Sequence, residues 1–334
     1  MLNRRGFIKT ATWTTAGLML SDALWAQDAN LAKKASDRLG EILPQRALGS
    51  TGQNVTILGM GGHHMVQLEE KQSQAVIEMA LEEGVRFFDT AASYHDGLSE
   101  TRYGQMLTPR YRDVVYIMTK TGARDAATAR SHLDGSLKRM KLDYLDLWQI
   151  HAVRNPEDVD NRLEQGVLDV VLEAKEKGKV RHIGFTGHRS NEAHLRMLEK
   201  TDVLQTCQMP INVLDPSHES FIKNVLPTLV ERKMGVIAMK TAAFGKLFQQ
   251  GIIPDRISLE DMHHFVWSLP VSVLVGGFDD IDQFRDKVKL ARSFRGISNE
   301  DRQQLVQKVA DKAGFYGDTP ETLERYKAGL PLRP

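Results

Sequence analysis

The chain has 334 residues and a nearly balanced charge, 44 Lys and Arg against 43 Asp and Glu, for a formal net charge of +1. That balance argues against a nucleic-acid or anionic-membrane partner, which a basic patch would recognise. The one cysteine, Cys207, excludes an intrachain disulfide and a cysteine-built metal or iron–sulfur site. No run reaches the roughly 20 apolar residues of a membrane helix, so no stable membrane insertion is expected.

At the amino terminus, Asn3-Arg4-Arg5-Gly6-Phe7-Ile8-Lys9 resembles the twin-arginine export signal, paired arginines followed by two apolar residues and a lysine. Residues 10–20 form an uncharged run rich in Thr and Ala, too short and too weakly apolar to span a bilayer. Leu24-Trp25-Ala26 then supplies an imperfect cleavage site, since small residues are preferred at both its first and last positions. A chance basic start to a cytosolic protein is the alternative, but basic, apolar and cleavage regions stand here in signal order. Residues 1–26 are read as a signal peptide for the twin-arginine export machinery, which implies a periplasmic protein, and are set aside from the fold. Residues 27–45 are polar, with Lys33-Lys34 and Asp37-Arg38, and read as a linker or a loosely packed helix.

Gly49-Ser50-Thr51-Gly52 between short apolar runs predicts a small hairpin. Short apolar runs then alternate with helical patterns. Predicted strands fall at 57–60, 85–89, 114–120, 144–151, 180–186, 204–209, 235–239 and 271–275. Predicted helices fall at 73–83, 100–107, around 133–140, 167–177, 192–199, 219–232, 259–267 and 281–292, with a last one at 299–312. Eight strand–helix alternations imply parallel strands and suit a closed barrel. The expected fold is a single α/β domain over residues 46–334, a (β/α)8 TIM barrel with an N-terminal hairpin and a C-terminal helical extension. A doubly wound open sheet is the alternative, but it would carry Gly-x-Gly-x-x-Gly after its first strand, and Gly59-Met60-Gly61-Gly62 is only a loose glycine cluster.

In such a barrel the ligand face is built from C-terminal strand ends and the loops behind them. Asp89 ends the second predicted strand, Tyr94 follows in its loop, Lys120 ends the third and His151 ends the fourth. A carboxylate, a phenol, an ammonium and an imidazole would then face one cavity. The lysine should lower the phenol pKa and make Tyr94 a usable proton donor, with Asp89 holding the lysine. His151 is placed to polarise a substrate oxygen. Taken singly, each residue also has a structural reading as a cap, a packed aromatic or a rim residue.

These residues sit in Gly84-Val85-Arg86-Phe87-Phe88-Asp89-Thr90-Ala91-Ala92-Ser93-Tyr94, Ser99-Glu100, Met118-Thr119-Lys120 and Asp143-Tyr144-Leu145-Asp146-Leu147-Trp148-Gln149-Ile150-His151. With Val180-Arg181-His182-Ile183-Gly184 they resemble the aldo/keto reductase superfamily over about residues 47–292. The resemblance implies an oxidoreductase that moves a hydride between NADP or NAD and a small carbonyl or alcohol substrate, with a tetrad at Asp89, Tyr94, Lys120 and His151. It places nicotinamide contacts at Gln208 and at Thr186-Gly187-His188, where glycine replaces the family's asparagine and His188 stands ready for its role. Met239 takes the place of a ring-stacking tyrosine, and Lys240 approaches the pyrophosphate. Gly276 and Gly277 suit close phosphate approach. The usual basic residue for a 2′-phosphate is missing, Asp282 and Gln283 standing nearby instead, and Lys287 is the nearest cation, so preference between NADP and NAD stays open.

His63 and His64 stand where the family lines its substrate pocket. Asp143 and Asp146 precede the C-terminal strand end and suit pairing at the barrel bottom, and Trp148 suits the core. A metal-dependent barrel hydrolase using His63, His64, His151, His188 and Asp89 is the rival enzyme class, although adjacent histidines in an extended chain project apart. A nicotinamide-binding sensor barrel without turnover is the non-enzyme alternative.

Overall fold

Short apolar strands that alternate with amphipathic helices close here into one cylinder. The computed structural model describes residues 35–243 and 245–312. The predicted signal peptide, the start of the predicted linker and the C-terminal tail lie outside the described residues.

Two small antiparallel pairs come first, β1 (Ser36–Asp37) with β2 (Gly40–Glu41) and β3 (Gln45–Ala47) with β4 (Asn54–Thr56). The barrel strands are β5 (Leu58–Gly61), β6 (Phe87–Asp89), β7 (Tyr116–Thr121), β8 (Leu145–Val153), β9 (Val180–Gly187), β10 (Thr206–Pro210), β11 (Gly235–Met239) and β12 (Val273–Gly276). They form a closed barrel in which β12 pairs with β5, and every neighbouring pair is parallel. Closure removes the free edges that an open sheet would leave.

Register decides which side chains meet. Asp89 pairs with Met118, Lys120 with Gln149, Gln149 with Gly184, and Thr186 with Gln208. Because side chains alternate across a strand, Asp89, Lys120, His151, Thr186 and Gln208 share the inward face. The alternate residues, such as Phe88, Ile117, Trp148 and Phe185, pack outward beneath the helices in the main core. Lower inside the barrel, Phe87, Met118, Leu147, Ile237 and Val273 form a separate apolar layer. Leu48 and Val55 from the β3–β4 hairpin close that layer from below.

The bottom plug is tied down by buried arginines. Arg46 donates to the carbonyls of Val271 at 2.8 Å and Trp267 at 2.7 Å. Arg86 donates two hydrogen bonds to Asp37, at 2.6 and 2.9 Å. This last contact corrects the linker expectation, since residues 36–41 pair as strands and dock on the barrel. Local composition could not show it, because the stabilising partner lies far along the chain. Asp146 serves the bottom as expected, accepting from the Ile117 amide at 2.8 Å and pairing with Arg112 and Arg181. Those two guanidiniums sandwich the Tyr144 ring at 4.2 and 4.1 Å.

One predicted helix, 219–232, is instead two short ones, Phe221–Asn224 and Leu226–Glu231. Pro227 cannot donate to the preceding turn, so the helix restarts with proline in its first turn. Among the described residues no helix is long and apolar enough to cross a membrane.

Candidate active site

At the end of β6 the chain turns sharply, and the sequence supplies what that turn needs. His95, Asp96 and Gly97 all take positive φ, at 49°, 53° and 85°. Asp is tolerant of this region and glycine unrestricted in it. At Gly97 a side chain would be strained by that φ and would also crowd Arg139, whose Nε lies 2.7 Å from where a Cβ would stand. Below this loop, Ser99 Oγ donates to the Gly62 carbonyl at 2.9 Å and shares a hydrogen bond with Thr90 Oγ1 at 2.7 Å. The buried Glu100 accepts from Thr119 Oγ1 at 2.5 Å and from Arg139 Nε at 2.8 Å. The Ser99-Glu100 motif is thus the scaffold that fixes the loop bearing Tyr94.

The four expected residues meet. Lys120, only 1% exposed, donates to Asp89 Oδ1 at 2.8 Å, to the Thr90 carbonyl at 2.7 Å and to Tyr94 Oη at 3.2 Å. All three ammonium protons are used, so the phenol oxygen accepts and its own proton stays available for another partner. His151 lies across from it, with ring centroids 5.9 Å apart. Its backbone is held by Arg162, which donates to the His151 carbonyl at 2.8 Å and pairs with Asp158 at 3.0 Å. Ala152, with φ of 57°, donates its amide to Thr186 Oγ1 at 3.0 Å.

Electrostatics correct one expectation. Burial pushes the Tyr94 phenol up, Asp89 adds to that, and Lys120 pulls it down without winning. The net direction is upward, so Tyr94 is a protonated phenol at neutral pH. Burial also pulls the Lys120 ammonium down, but Asp89 and Tyr94 outweigh it and the net shift is upward. His151 is held well below the usual imidazole range by burial first, then by Lys120, Arg162 and Lys240. It is therefore a neutral hydrogen-bonding group.

The predicted cofactor residues divide. Gln208 spends its amide on Asp89 Oδ2, donating at 2.9 Å, and its Oε1 is buried without a partner. His188 lies 5.8 Å from the His151 ring and its Nδ1 is likewise buried without a partner. Burial and the Lys240 field hold the His188 ring neutral. Gly187 offers no side chain for a reason, since a Cβ there would lie 2.3 Å from His194 Cε1. The buried His194, with a pKa lowered by burial to about 4, fills that space. Met239 ends β11 facing inward, and Lys240 follows with φ of 58°.

Around the eighth barrel strand the picture changes. Gly277 faces the His64 ring, 2.9 Å from where its Cβ would stand. Lys287 turns inward and donates to the Gly277 carbonyl at 2.6 Å, so its ammonium already serves the loop. Asp280 caps the helix Ile281–Ser293 by accepting from the Gln283 amide. His194 and Thr90 were given no role at the sequence level. The buried pattern of Ala193, His194, Met197 and Leu198 on the helix Asn191–Lys200 is the periodic signal that marks His194 as core. Thr90 meets the Lys120 ammonium through its backbone carbonyl, which no side-chain pattern reveals. Among the described residues no group of three His, Cys, Asp or Glu is placed to hold a metal ion, so the hydrolase alternative finds no metal site there.

Comparison with known proteins agrees with this architecture. The chain is 29% identical over 232 residues to L-galactose dehydrogenase of Arabidopsis thaliana, covering 62% of this chain and 67% of that protein. It is 25% identical over 299 residues to the uncharacterized oxidoreductase YqkF of Bacillus subtilis, covering 77% of this chain and 94% of that one. The holo form of an aldo-keto reductase from Bacillus halodurans superposes with a TM-score of 0.70 at 23% identity, over 83% of this chain and 99% of that chain, which speaks to the fold. The model of the aldo/keto reductase family matches residues 57–316, and with the closed barrel and its converging strand ends this chain belongs to that family of oxidoreductases.

Proposed function

We propose that the protein is a nicotinamide-dependent carbonyl reductase in which Tyr94 is the general acid. The observation that carries this reading is the Lys120 ammonium, which bridges the Asp89 carboxylate at 2.8 Å and the Tyr94 oxygen at 3.2 Å. A neutral phenol that has lost its proton is left as an anion beside a buried cation, which is where a phenolate is most favoured. Asp89 keeps that cation in place, and Gln208 keeps Asp89 in place. His151, neutral and opposite Tyr94, donates to the carbonyl oxygen and aims it at the phenol.

The residues present fit a nicotinamide. Two buried polar atoms lack partners at the ends of β9 and β10, His188 Nδ1 and Gln208 Oε1. They match the two halves of a carboxamide, the glutamine oxygen accepting from its NH2 and the imidazole N–H donating to its C=O. When bound, the reduced nicotinamide supplies a hydride to the carbonyl carbon, while Tyr94 supplies the proton to the oxygen. Beyond β12 stand Asp279, Asp280 and Asp282, with Arg285 paired to Asp282 and Lys287 committed to the Gly277 carbonyl. A 2′-phosphate beside these carboxylates would be repelled, which favours NAD(H) over NADP(H).

Tyr94→Phe keeps the ring and deletes the proton. Turnover should fall by roughly 10²-fold or more, the scale of general acid catalysis, while NADH binding read by fluorescence titration changes little. Near-normal turnover would remove Tyr94 from the mechanism. The paired arginines further support export through the twin-arginine route. Arg4→Lys combined with Arg5→Lys should hold the protein in the cytoplasm, whereas the wild type appears beyond the membrane beginning near Gln27. Equal localisation of the two proteins would overturn the export reading.

A further inference from the structure

Beyond Ile150, strand β8 departs from its neighbours. Its pairing with β7 ends where Thr121 meets Ile150. Against β9, Ile150 faces Phe185 and Val153 faces Gly187, so His151 and Ala152 together stand opposite Thr186 alone. This is a β-bulge, which bends a strand, re-aims a side chain and takes backbone groups out of the ladder. Ala152 lies at a φ of 57°, in the left-handed region that a residue with a Cβ keeps only when its surroundings hold it there.

Two side chains hold it. Thr186 Oγ1 accepts from the Ala152 amide at 3.0 Å. Arg162 donates from Nη1 to the His151 carbonyl at 2.8 Å and from Nη2 to the Ala152 carbonyl at 3.5 Å. One planar guanidinium thus serves two successive carbonyls, a fork that lysine cannot reproduce. Asp158 supports the guanidinium from one turn earlier on the helix Pro156–Glu164, accepting from Nε at 3.1 Å and pairing with Nη2 at 3.0 Å. Asp158 is itself fixed by the Arg154 amide at 3.1 Å, and Arg124 lies 3.4 Å away. The depth of this pair calls for a reason. Its side chains are 3% and 6% exposed, whereas Lys177 and Glu173, at the same i,i+4 spacing, lie at the surface. Taking two charges out of water is unfavourable unless hydrogen bonds compensate, and here the compensating bonds go to the bulge behind His151.

Resting on the reductase reading above, we propose that Arg162 and Asp158 are positioning residues for His151, an ion pair that clamps the bulged end of β8 and so aims the imidazole toward Tyr94. The guanidinium also acts on the charge of the ring. Burial is the main reason that His151 sits well below the usual imidazole range, and Lys120, Arg162 and Lys240 lower it further. The titratable rings that face it are Tyr94 at 5.9 Å and His188 at 5.8 Å. Burial and Lys240 keep His188 neutral, so Arg162 is one of three cations acting on His151.

The test is a double-mutant cycle with Arg162→Met and His151→Phe, using 4-nitrobenzaldehyde with NADH and NADPH, joined to NMR titration of the histidine rings. Signals of His151 are assigned by their absence in His151→Phe. Arg162→Met should lower kcat by about 10²-fold, the scale on which a displacement of about 1 Å slows a reaction. In the His151→Phe background the same change should cost less than about threefold, because a residue that acts through another loses its effect with it. Arg162→Met should also move the His151 titration to higher pH, since it removes a cation and leaves Asp158 uncompensated. Arg162→Lys keeps the charge but loses the fork, so it should lower kcat while leaving the titration near that of the wild type. Arg46→Met is the control for stability alone. It removes another buried arginine that donates to carbonyls, at the opposite end of the barrel. It should lower the urea midpoint without moving the His151 titration. Equal loss of kcat with and without His151, or a His151 titration unmoved in Arg162→Met, would overturn the clamp and leave the reductase reading standing. Absence of turnover with either nucleotide would overturn the reductase reading, and the titration would then decide the clamp by itself.

Discussion

At the scale of single residues, the decisive competition is between burial and charge at Tyr94. Desolvation raises the phenol pKa and Lys120 lowers it, with burial ahead. Tyr94 therefore stays protonated through neutral pH, as the proposed role of general acid requires, and in that proposal it would act as a base for alcohol oxidation only in alkaline solution. Lys120→Met removes the one lowering influence while leaving burial in place, so the phenol pKa should rise further. In the oxidation direction, the rise of rate with pH should move to higher pH than in the wild type, as a pH–rate profile of kcat/KM will read. Movement to lower pH would contradict the pairing. The identity and convergence of Asp89, Tyr94, Lys120 and His151 were legible in the sequence, because strand ends of a parallel barrel share one face. The net direction of the Tyr94 shift was not. It depends on how deeply the phenol is enclosed, and depth is a property of the assembled mouth.

At the scale of elements, two glycines in neighbouring helices show how sequence-equivalent residues acquire different duties. Gly104, in the helix Leu98–Met106, has the Arg139 carbonyl of the helix Ala126–Met140 only 1.9 Å from where a Cβ would stand. Gly135 faces only the far end of the Arg139 side chain, at 2.9 Å from Nη1. Gly104→Ala must push two helix backbones apart and should cost about 1–3 kcal/mol, the scale of core overpacking. Gly135→Ala should be neutral or stabilising by up to about 1 kcal/mol, since alanine is the better helix former and the guanidinium can move. Urea midpoints at matched slopes will measure both, and equal destabilisation by the two variants would refute the close approach. Because Arg139 also pairs with Glu100 at 2.6 Å beneath the Tyr94 loop, Gly104→Ala should lower turnover along with stability. Helix positions were mostly readable from apolar periodicity, as with Val76, Ile77, Ala80 and Leu81 on the buried face of Glu70–Glu82. The break before Pro227 needed the proline weighed above the pattern, and the β1–β2 pair needed a partner arginine distant in the chain.

For the whole molecule, the alternation of strand and helix was enough to specify parallel strands and a barrel. Each strand leaves two apolar or inward-facing sides that only a closed sheet wrapped in helices can bury. The order of motifs also specified which side chains crown it, since a residue at a strand's end has one direction to point. What the tertiary structure alone decided is how those side chains divide their bonds. Gln208 spends its amide on Asp89 and keeps one oxygen free, Lys287 turns inward to the Gly277 carbonyl, and His194 occupies the space that makes Gly187 a glycine. The imidazole of His63, on the short helix Gly62–Met65, meets both the Tyr94 ring and the His95 ring of the loop after β6. Periodicity is a local property of the chain and survives in the sequence. Hydrogen-bond partners and burial depth are set by distances between segments remote from one another, and those distances exist only once the barrel has closed.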